Sequence, residues 1–489
     1  MGQRASRSVQ ETSPCNASGA PSPRTEHRSG GSALRRISSA AGLSRRQPTE
    51  GCVASEVTGD MEAVISRGLL HLGVDLLREL RRSSTEDGNL IVSPYAVASC
   101  LEELLVAATG STADQIAAML HIPPGQRVTK YFQDRDREIP TRRLSDARRR
   151  FDMGYLNNIH SDQGLPTAYT SSDTEERLRL EHFSWDFAGE AEQSRADIDR
   201  YLRLYASSFE PGEILPRGSI TPASQVLLVS VVDFRGSWMN EFDDCTPTSK
   251  PFYESAQEAP TVVLMLSQTG RFRTTTCDDL GATALEVPYW SPAISTENVS
   301  RVSSLPFGAT RSSASADWGP KFSLVILLPN EVDGLAALVD KLTAFTLQRC
   351  LSQLKAKGVI RVSMPLFRLK HVTDLCPTLS ALGVSDVFSE RAQLWGATAG
   401  EKRVSGMRHG AAFQTAQTGG RRLSENKPRQ QRQSAAAEVI APLARAISSM
   451  VRRPQPPLDF TVDRPFAFAV VCMHPDTFLL LGCVRKIIW

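Results

Sequence analysis

Two near-continuous apolar runs, residues 226–232 and 322–328, restrict this chain more than any other feature. Strands that lack polar alternation are strands covered on both faces, so they demand a large sheet with further layers on either side. Three more strand-like runs lie at residues 359–367, 466–472 and 478–484. The first half reads as helices instead. Val64, Leu69, Leu72, Leu76 and Leu80 recur at helical spacing and predict a first helix from Met61 to about Arg82. Gly88 ends it, Asn89 to Val92 read as a short strand, and Ser93-Pro94 opens a second helix that stops at Gly110. A third helix is expected over residues 111–120, capped by Ser111 or Thr112. Residues 191–206 make a fourth, with Ile198, Leu202 and Tyr205 on one face, and residues 335–342 and 375–382 two short ones. Helices first and strands later, in one long unit without repeats, define an α+β domain over residues 61–489.

Three stretches stand apart from that pattern. Residues 1–60 are rich in Ser, Arg, Gly and Ala and read as a disordered tail. Residues 291–319 form a Ser/Ala-rich surface insertion. A segment over about residues 421–459, far longer than an ordinary connection, carries Arg429, Arg432, Arg445, Arg452 and Arg453 and the small-residue run from Ser434 to Ala437. Those arginines suit a trypsin-like protease, whose specificity pocket holds an acidic group.

The net charge of +3 gives no global pull toward nucleic acid, so a polyanion site would have to be local. Arg142, Arg143, Arg148, Arg149 and Arg150 are the candidates, although Asp134, Asp136, Glu138 and Asp146 dilute the charge and favour a solvated face. The nine cysteines are scattered without CxxC pairs, a spacing that suits neither a zinc site nor a disulfide framework and leans toward a reducing compartment. Met1-Gly2-Gln3-Arg4-Ala5-Ser6 fits the myristoylation pattern on Gly2, with Cys15 and nearby arginines as a second membrane signal. That points to a cytoplasmic protein tethered to a membrane, or simply to a plain tail; no apolar signal-peptide core precedes the domain. HExxH and GxSxG motifs do not occur, and GATAGEK at residues 396–402 has the wrong glycine spacing for a phosphate loop. The residues nominate no catalytic centre, cofactor or metal.

Several ordered motifs resemble one family, the serpins. Asn89-Leu-Ile-Val-Ser-Pro94 with Ala107-Ala-Thr-Gly110 is similar to the family's first strand and the helix that follows it. Leu228-Val-Ser-Val-Val-Asp-Phe-Arg-Gly-Ser-Trp238 resembles its central-sheet strand ending in Trp. Leu285-Glu-Val-Pro-Tyr289, Val325-Ile-Leu-Leu-Pro329, Met364-Pro-Leu-Phe367, Leu382-Gly-Val-Ser-Asp386, Asp463-Arg-Pro-Phe466 and Leu480-Leu-Gly482 follow in family order. The resemblance implies N-terminal helices packed on a large central β-sheet with further sheets and an exposed reactive-centre loop. It also implies a non-enzymatic, monomeric suicide inhibitor of a serine protease, or of a cysteine protease, whose cleaved loop inserts into the sheet. Family members are often extracellular, which is the alternative compartment. By the same resemblance Gly420, Ser434, Ala435, Ala436 and Ala437 are the loop's hinge. Ser93, Pro94, Ser230 and His409 are the shutter where strands part, and Trp238 marks where insertion begins.

The sequence departs from the family pattern at that hinge. Residues 421–433, with Pro428 and four Arg, are interposed before Ser434, and Ala96 and Ser230 replace the expected Ser and Asn. Counting from the C-terminal side puts the scissile bond at Arg452–Arg453; counting from the hinge puts it beside Arg445–Ala446. The interruption keeps open a second reading, a non-inhibitory binding protein on the same scaffold.

Overall fold

The computed structural model describes residues 51–84, 88–123, 128–139, 151–163, 180–239, 247–289, 321–356, 358–394, 402–419, 457–473 and 477–488. The chain opens with α1 (Gly51–Ser83), β1 (Leu90–Val92), α2 (Pro94–Ala107), α3 (Gly110–Met119) and α4 (Thr129–Glu138). Then come β2 (Phe151–Asp162), β3 (Glu181–Trp185), α5 (Phe187–Leu202), β4 (Val226–Trp238), β5 (Thr248–Phe252), β6 (Thr261–Gly270), β7 (Arg273–Cys277), β8 (Ala282–Pro288) and β9 (Lys321–Pro329). The rest is α6 (Leu335–Lys341), α7 (Ala344–Ser352), β10 (Lys355–Ala356), β11 (Ile360–Pro365), β12 (Arg368–Asp374), α8 (Leu375–Ala381), β13 (Val404–Gly419), β14 (Leu458–Thr461), β15 (Phe466–Met473) and β16 (Thr477–Val484).

These strands make three sheets. The central one runs β12-β13-β4-β2-β3, a seven-stranded sheet runs β1-β16-β15-β9-β8-β7-β10, and a small one runs β14-β11-β6-β5. The apolar runs behave as their composition requires. All nine of the first residues of β4 are buried, as is every residue of β16, because both faces are covered. Helix α1 is apolar around most of its circumference for a related reason. Leu69, Leu72 and Leu76 enter the main core, whereas Leu70, Val74 and Leu77 enter a second core behind the seven-stranded sheet. A helix wedged between two cores needs more than one apolar stripe.

Several boundaries differ from the sequence reading. Helix α1 begins at Gly51, ten residues inside the stretch assigned to the tail. The cap of α3 is Thr109, without a side-chain bond, rather than Ser111 or Thr112. Both of those hydroxyls are engaged elsewhere: Ser111 Oγ donates to Asp386 Oδ2 at 2.7 Å, and Thr112 Oγ1 accepts from Gln393 N at 3.1 Å. Helix α5 starts earlier than periodicity indicates because Asp186 caps it, accepting from Gly189 N. Strand β14 takes the last two residues assigned to the long loop, Leu458 and Asp459. Arg135 of α4 is buried, with its guanidinium 5.6 Å from the Tyr131 ring centre.

Cysteine pairing is also corrected. Cys277 at the end of β7 and Cys350 in α7 form a disulfide with Cα atoms 5.9 Å apart across 73 residues of sequence. The fold brings β7 beside α7, an adjacency that spacing along the chain cannot reveal, and the pairing removes the cysteine argument for a reducing compartment. Cys100, Cys376, Cys472 and Cys483 are not in disulfides. Among the described residues no helix is long and apolar enough to cross a membrane, and no group of three His, Cys, Asp or Glu could hold a metal.

Candidate functional site

The central sheet has two parallel junctions, β2/β3 at its edge and β13/β4 further in, and the second is the one that matters here. β13 pairs with β4 in parallel, with His409 opposite Ser230 and Thr415 opposite Gly236. The register then slips, so that Gly419 lies opposite Trp238. A strand that turned back from the end of β13 would run antiparallel to both β13 and β4. This seam is therefore where a returning segment could be hydrogen-bonded on both edges without reversing either neighbour.

Polar side chains line one rung across the seam on the face toward α2. Asn157 of β2 is opposite Ser230 of β4, which is opposite His409 of β13. Ser230 and His409 are fully buried and Asn157 nearly so. The His409 tautomer follows from its partners. Ser93 N donates to Nε2 at 3.0 Å, so Nε2 is the bare nitrogen, and Nδ1–H donates to Ser230 Oγ at 3.1 Å. Burial, with His371 nearby, pushes the His409 imidazole down to about 3, which keeps it neutral and able to accept.

Ser93 links this rung to the helix and to the neighbouring sheet. Its Oγ donates to Leu479 O of β16 at 2.6 Å and accepts from Ala96 N at 3.2 Å as the cap of α2. Pro94 occupies the first turn of α2, where its missing N–H costs nothing. It packs so closely on α1 that a Cβ at Gly73 would sit 2.6 Å from Pro94 Cγ. Asn157 Nδ2 completes the arrangement by donating to Ala96 O at 3.0 Å and to Ser99 Oγ at 2.9 Å. Ser93→Ala is expected to destabilise the protein by about 2 kcal/mol, combining a lost cap with an orphaned carbonyl at Leu479. Urea denaturation at pH 7 measures it, and a loss below about 0.5 kcal/mol would show that water replaces both bonds.

Trp238 sits at the far end of β4, fully buried. Its ring stacks on Tyr289 with centroids 4.6 Å apart and planes 14° from parallel. Gly236 makes room for that pair, since a Cβ there would meet Tyr289 Cδ1 at 2.6 Å. Between the polar rung and Trp238, Phe234 of β4 stacks on Phe413 of β13 across the seam, centroids 5.9 Å apart.

The structure thus brings Ser93, Pro94, Ser230 and His409 together and places Trp238 eight residues further along β4. Asn157 and Ser99 are members that the sequence reading missed. Residues 151–162 show no clean alternation, because β2 is also covered on both faces. The hinge positions Gly420, Ser434, Ala435, Ala436 and Ala437 lie outside the described residues, as do Arg445, Ala446, Arg452 and Arg453. So do Gly2, the arginines at 142, 143 and 148–150, and the insertion at 291–319.

Comparison with known proteins agrees with this architecture. Residues 67–487 match the family described as Serpin (serine protease inhibitor). The chain is 29% identical over 433 residues to Ipis-1 of Ixodes persulcatus, covering 87% of this chain and all of that one. It is 25% identical over 427 residues to the leukocyte elastase inhibitor of Sus scrofa, covering 86% and 98% of the two chains. Its structure superposes on that of uncleaved ovalbumin with a TM-score of 0.66 at 20% identity, covering 86% of this chain and 99% of the other. The chain belongs to the serpin family, and its helices and three sheets are the α+β serpin fold.

Proposed function

We propose that this serpin inhibits a trypsin-like serine protease as a suicide substrate. The parallel β13/β4 seam carries the reading, since it joins the strand that leads into the 420–457 segment to the one neighbour that could share a returning strand. Membership of a protease-inhibitor family and similarity to a protein named as an elastase inhibitor support it.

In this reading the protease serine hydroxyl adds to the carbonyl of Arg452. The bond to Arg453 breaks, the new amine at Arg453 leaves carrying a proton, and an ester joins the two proteins. The chain between Gly419 and Arg452 is then free of its C-terminal tether and enters the seam, carrying the acylated protease with it. Small side chains at Ser434 to Ala437 suit passage between packed strands. The second reading, a binding protein that does not inhibit, draws on residues 421–433. Pro428 cannot donate a ladder bond, and burying four arginines in a sheet is costly.

Incubation with trypsin followed by denaturing electrophoresis tests both. The inhibitory reading expects a detergent-stable adduct heavier than the 53.5 kDa chain, a rise in Tm after cleavage, and loss of the adduct in Arg452→Ala. Loss in Arg445→Ala instead would move the scissile bond to Arg445–Ala446. Clean cleavage with no adduct and no rise in Tm would sink inhibition and leave the binding protein.

A further inference from the structure

The small sheet holds a positive charge that no carboxylate among the described residues answers. Lys250 of β5 is half-buried, and its ammonium donates to Ser363 Oγ of β11 at 2.8 Å and to Ser267 Oγ of β6 at 3.4 Å. The two hydroxyls lie 3.0 Å apart and share one hydrogen bond. Strand register explains the meeting. Lys250 stands opposite Val263, Ser267 lies further along β6 on the same face, and Ser363 is directly opposite Ser267. On the other side of β11, Thr461 of β14 stands opposite Ser363, which adds a third hydroxyl position to that face.

This cluster has more donors than acceptors. An ammonium offers three hydrogens and each serine hydroxyl offers one. The contacts use one hydrogen from Lys250 to each serine and one from serine to serine. Among the described residues, one N–H of Lys250 and one serine O–H are left without an acceptor, beside a full positive charge. Ser363 is only 2% exposed, so this hydroxyl belongs to the packed sheet and not to bulk water. The neighbouring charges do not complete the cluster. Arg361, two residues before Ser363 on the same face of β11, is exposed and faces the exposed Asp459 of β14 at 3.8 Å. A tetrahedral oxyanion meets the unfilled requirements together. It neutralises the ammonium and gives acceptors to the spare N–H, the spare serine O–H and the hydroxyl of Thr461.

We propose that Lys250, Ser267, Ser363 and Thr461 bind one tetrahedral oxyanion, a phosphate or sulfate group, on this face of the small sheet. Lys250 supplies the charge and the hydroxyls fix the orientation, the division of labour expected of a lysine used as a point charge. The group is a free ion or the ester end of a larger molecule, since both present at least three oxygens. The site stands apart from the seam, and it does not depend on the inhibitory reading above.

Titration of the intact, full-length protein with sodium sulfate and with O-phospho-L-serine, at ionic strength held constant with sodium chloride, tests the site. Calorimetry should show one saturable site of about millimolar Kd, and Tm should rise by about 2 °C at about ten times that concentration. Lys250→Met keeps the aliphatic stem and removes the charge, and should weaken binding at least about ten-fold. Ser363→Ala and Thr461→Val, small changes that serve even if Lys250→Met folds poorly, should each weaken it about three-fold. Arg361→Gln should leave Kd within about two-fold of wild type, because its charge already faces Asp459. Amide exchange in β11 and β14 should slow on adding sulfate while β1 and β16 stay unchanged. Phosphoserine binding as tightly as sulfate assigns the site to an ester group, and sulfate binding far more tightly assigns it to the free ion. Binding of neither overturns the site. So does an equal gain in Tm for wild type and Lys250→Met, which would be the general effect of sulfate on burial. A loss in Arg361→Gln as large as in Lys250→Met would reduce the site to a diffuse positive surface and overturn it too. Undiminished affinity in both Ser363→Ala and Thr461→Val overturns the placement.

Discussion

Stability should fall by about 4 kcal/mol between pH 6.5 and pH 5, a large share of the roughly 5–15 kcal/mol that holds an ordinary domain folded. Two buried histidines are responsible. His409 accepts from Ser93 at the seam, and His160 accepts from Trp185 Nε1 at 3.0 Å on β2. Desolvation, with His371 beside the first and His182 beside the second, holds both at about 3. In the unfolded chain they take up a proton near 6.5. Below that value the unfolded state binds more protons, so stability present above pH 6.5 is lost as pH falls toward 3, by about 1.4 kcal/mol per pH unit for each histidine. Burial also lowers His121, His182 and His371, which adds to the loss in the same direction. The shifted carboxylates Glu79, Glu192 and Asp386 all lie below their ordinary values and act only at lower pH, so the upper window belongs to histidine. Urea midpoints at pH 7, 6 and 5 measure the slope, and His409→Gln should remove about half of it. A stability curve that is flat from pH 7 to 5 would show that water reaches both rings.

Trp238→Ala should cost about 3–5 kcal/mol, the range for emptying a buried aromatic site. The ring is fully buried, stacks on Tyr289, and ends β4 where its register with β13 slips. Collapse is hindered because Gly236 offers no side chain to fill the space and Tyr289 is held by its own strand contact. Trp238→Phe should recover more than half of the loss, since a ring still covers Tyr289. Urea denaturation of both variants reads the difference. Equal losses would mean that the indole matters for something other than the stack.

The sequence made the strands and the order of motifs legible because burial on both faces leaves an unmistakable apolar run. It also pointed to Ser93, Ser230 and His409, although only through resemblance: nothing in their spacing reveals that Ser93 N meets His409 beside Ser230. Asn157 stayed hidden because β2 lacks alternation. The third helix was mis-capped because the hydroxyls of Ser111 and Thr112 serve a tertiary contact with residues 386 and 393 rather than their own helix. The Cys277–Cys350 bond is a product of three-dimensional adjacency, with no local signature at either end.

The disulfide gives this protein a built-in record of where it has been cut. Any single break between residues 278 and 349 leaves two fragments joined through sulfur, migrating as one band until a reductant is added. A break between Gly419 and Leu458 releases a C-terminal fragment in detergent without reductant, because neither Cys472 nor Cys483 beyond it is in a disulfide. Paired gel lanes, with and without reductant, therefore separate a cut within residues 291–319 from a cut between Gly419 and Leu458 in one sample.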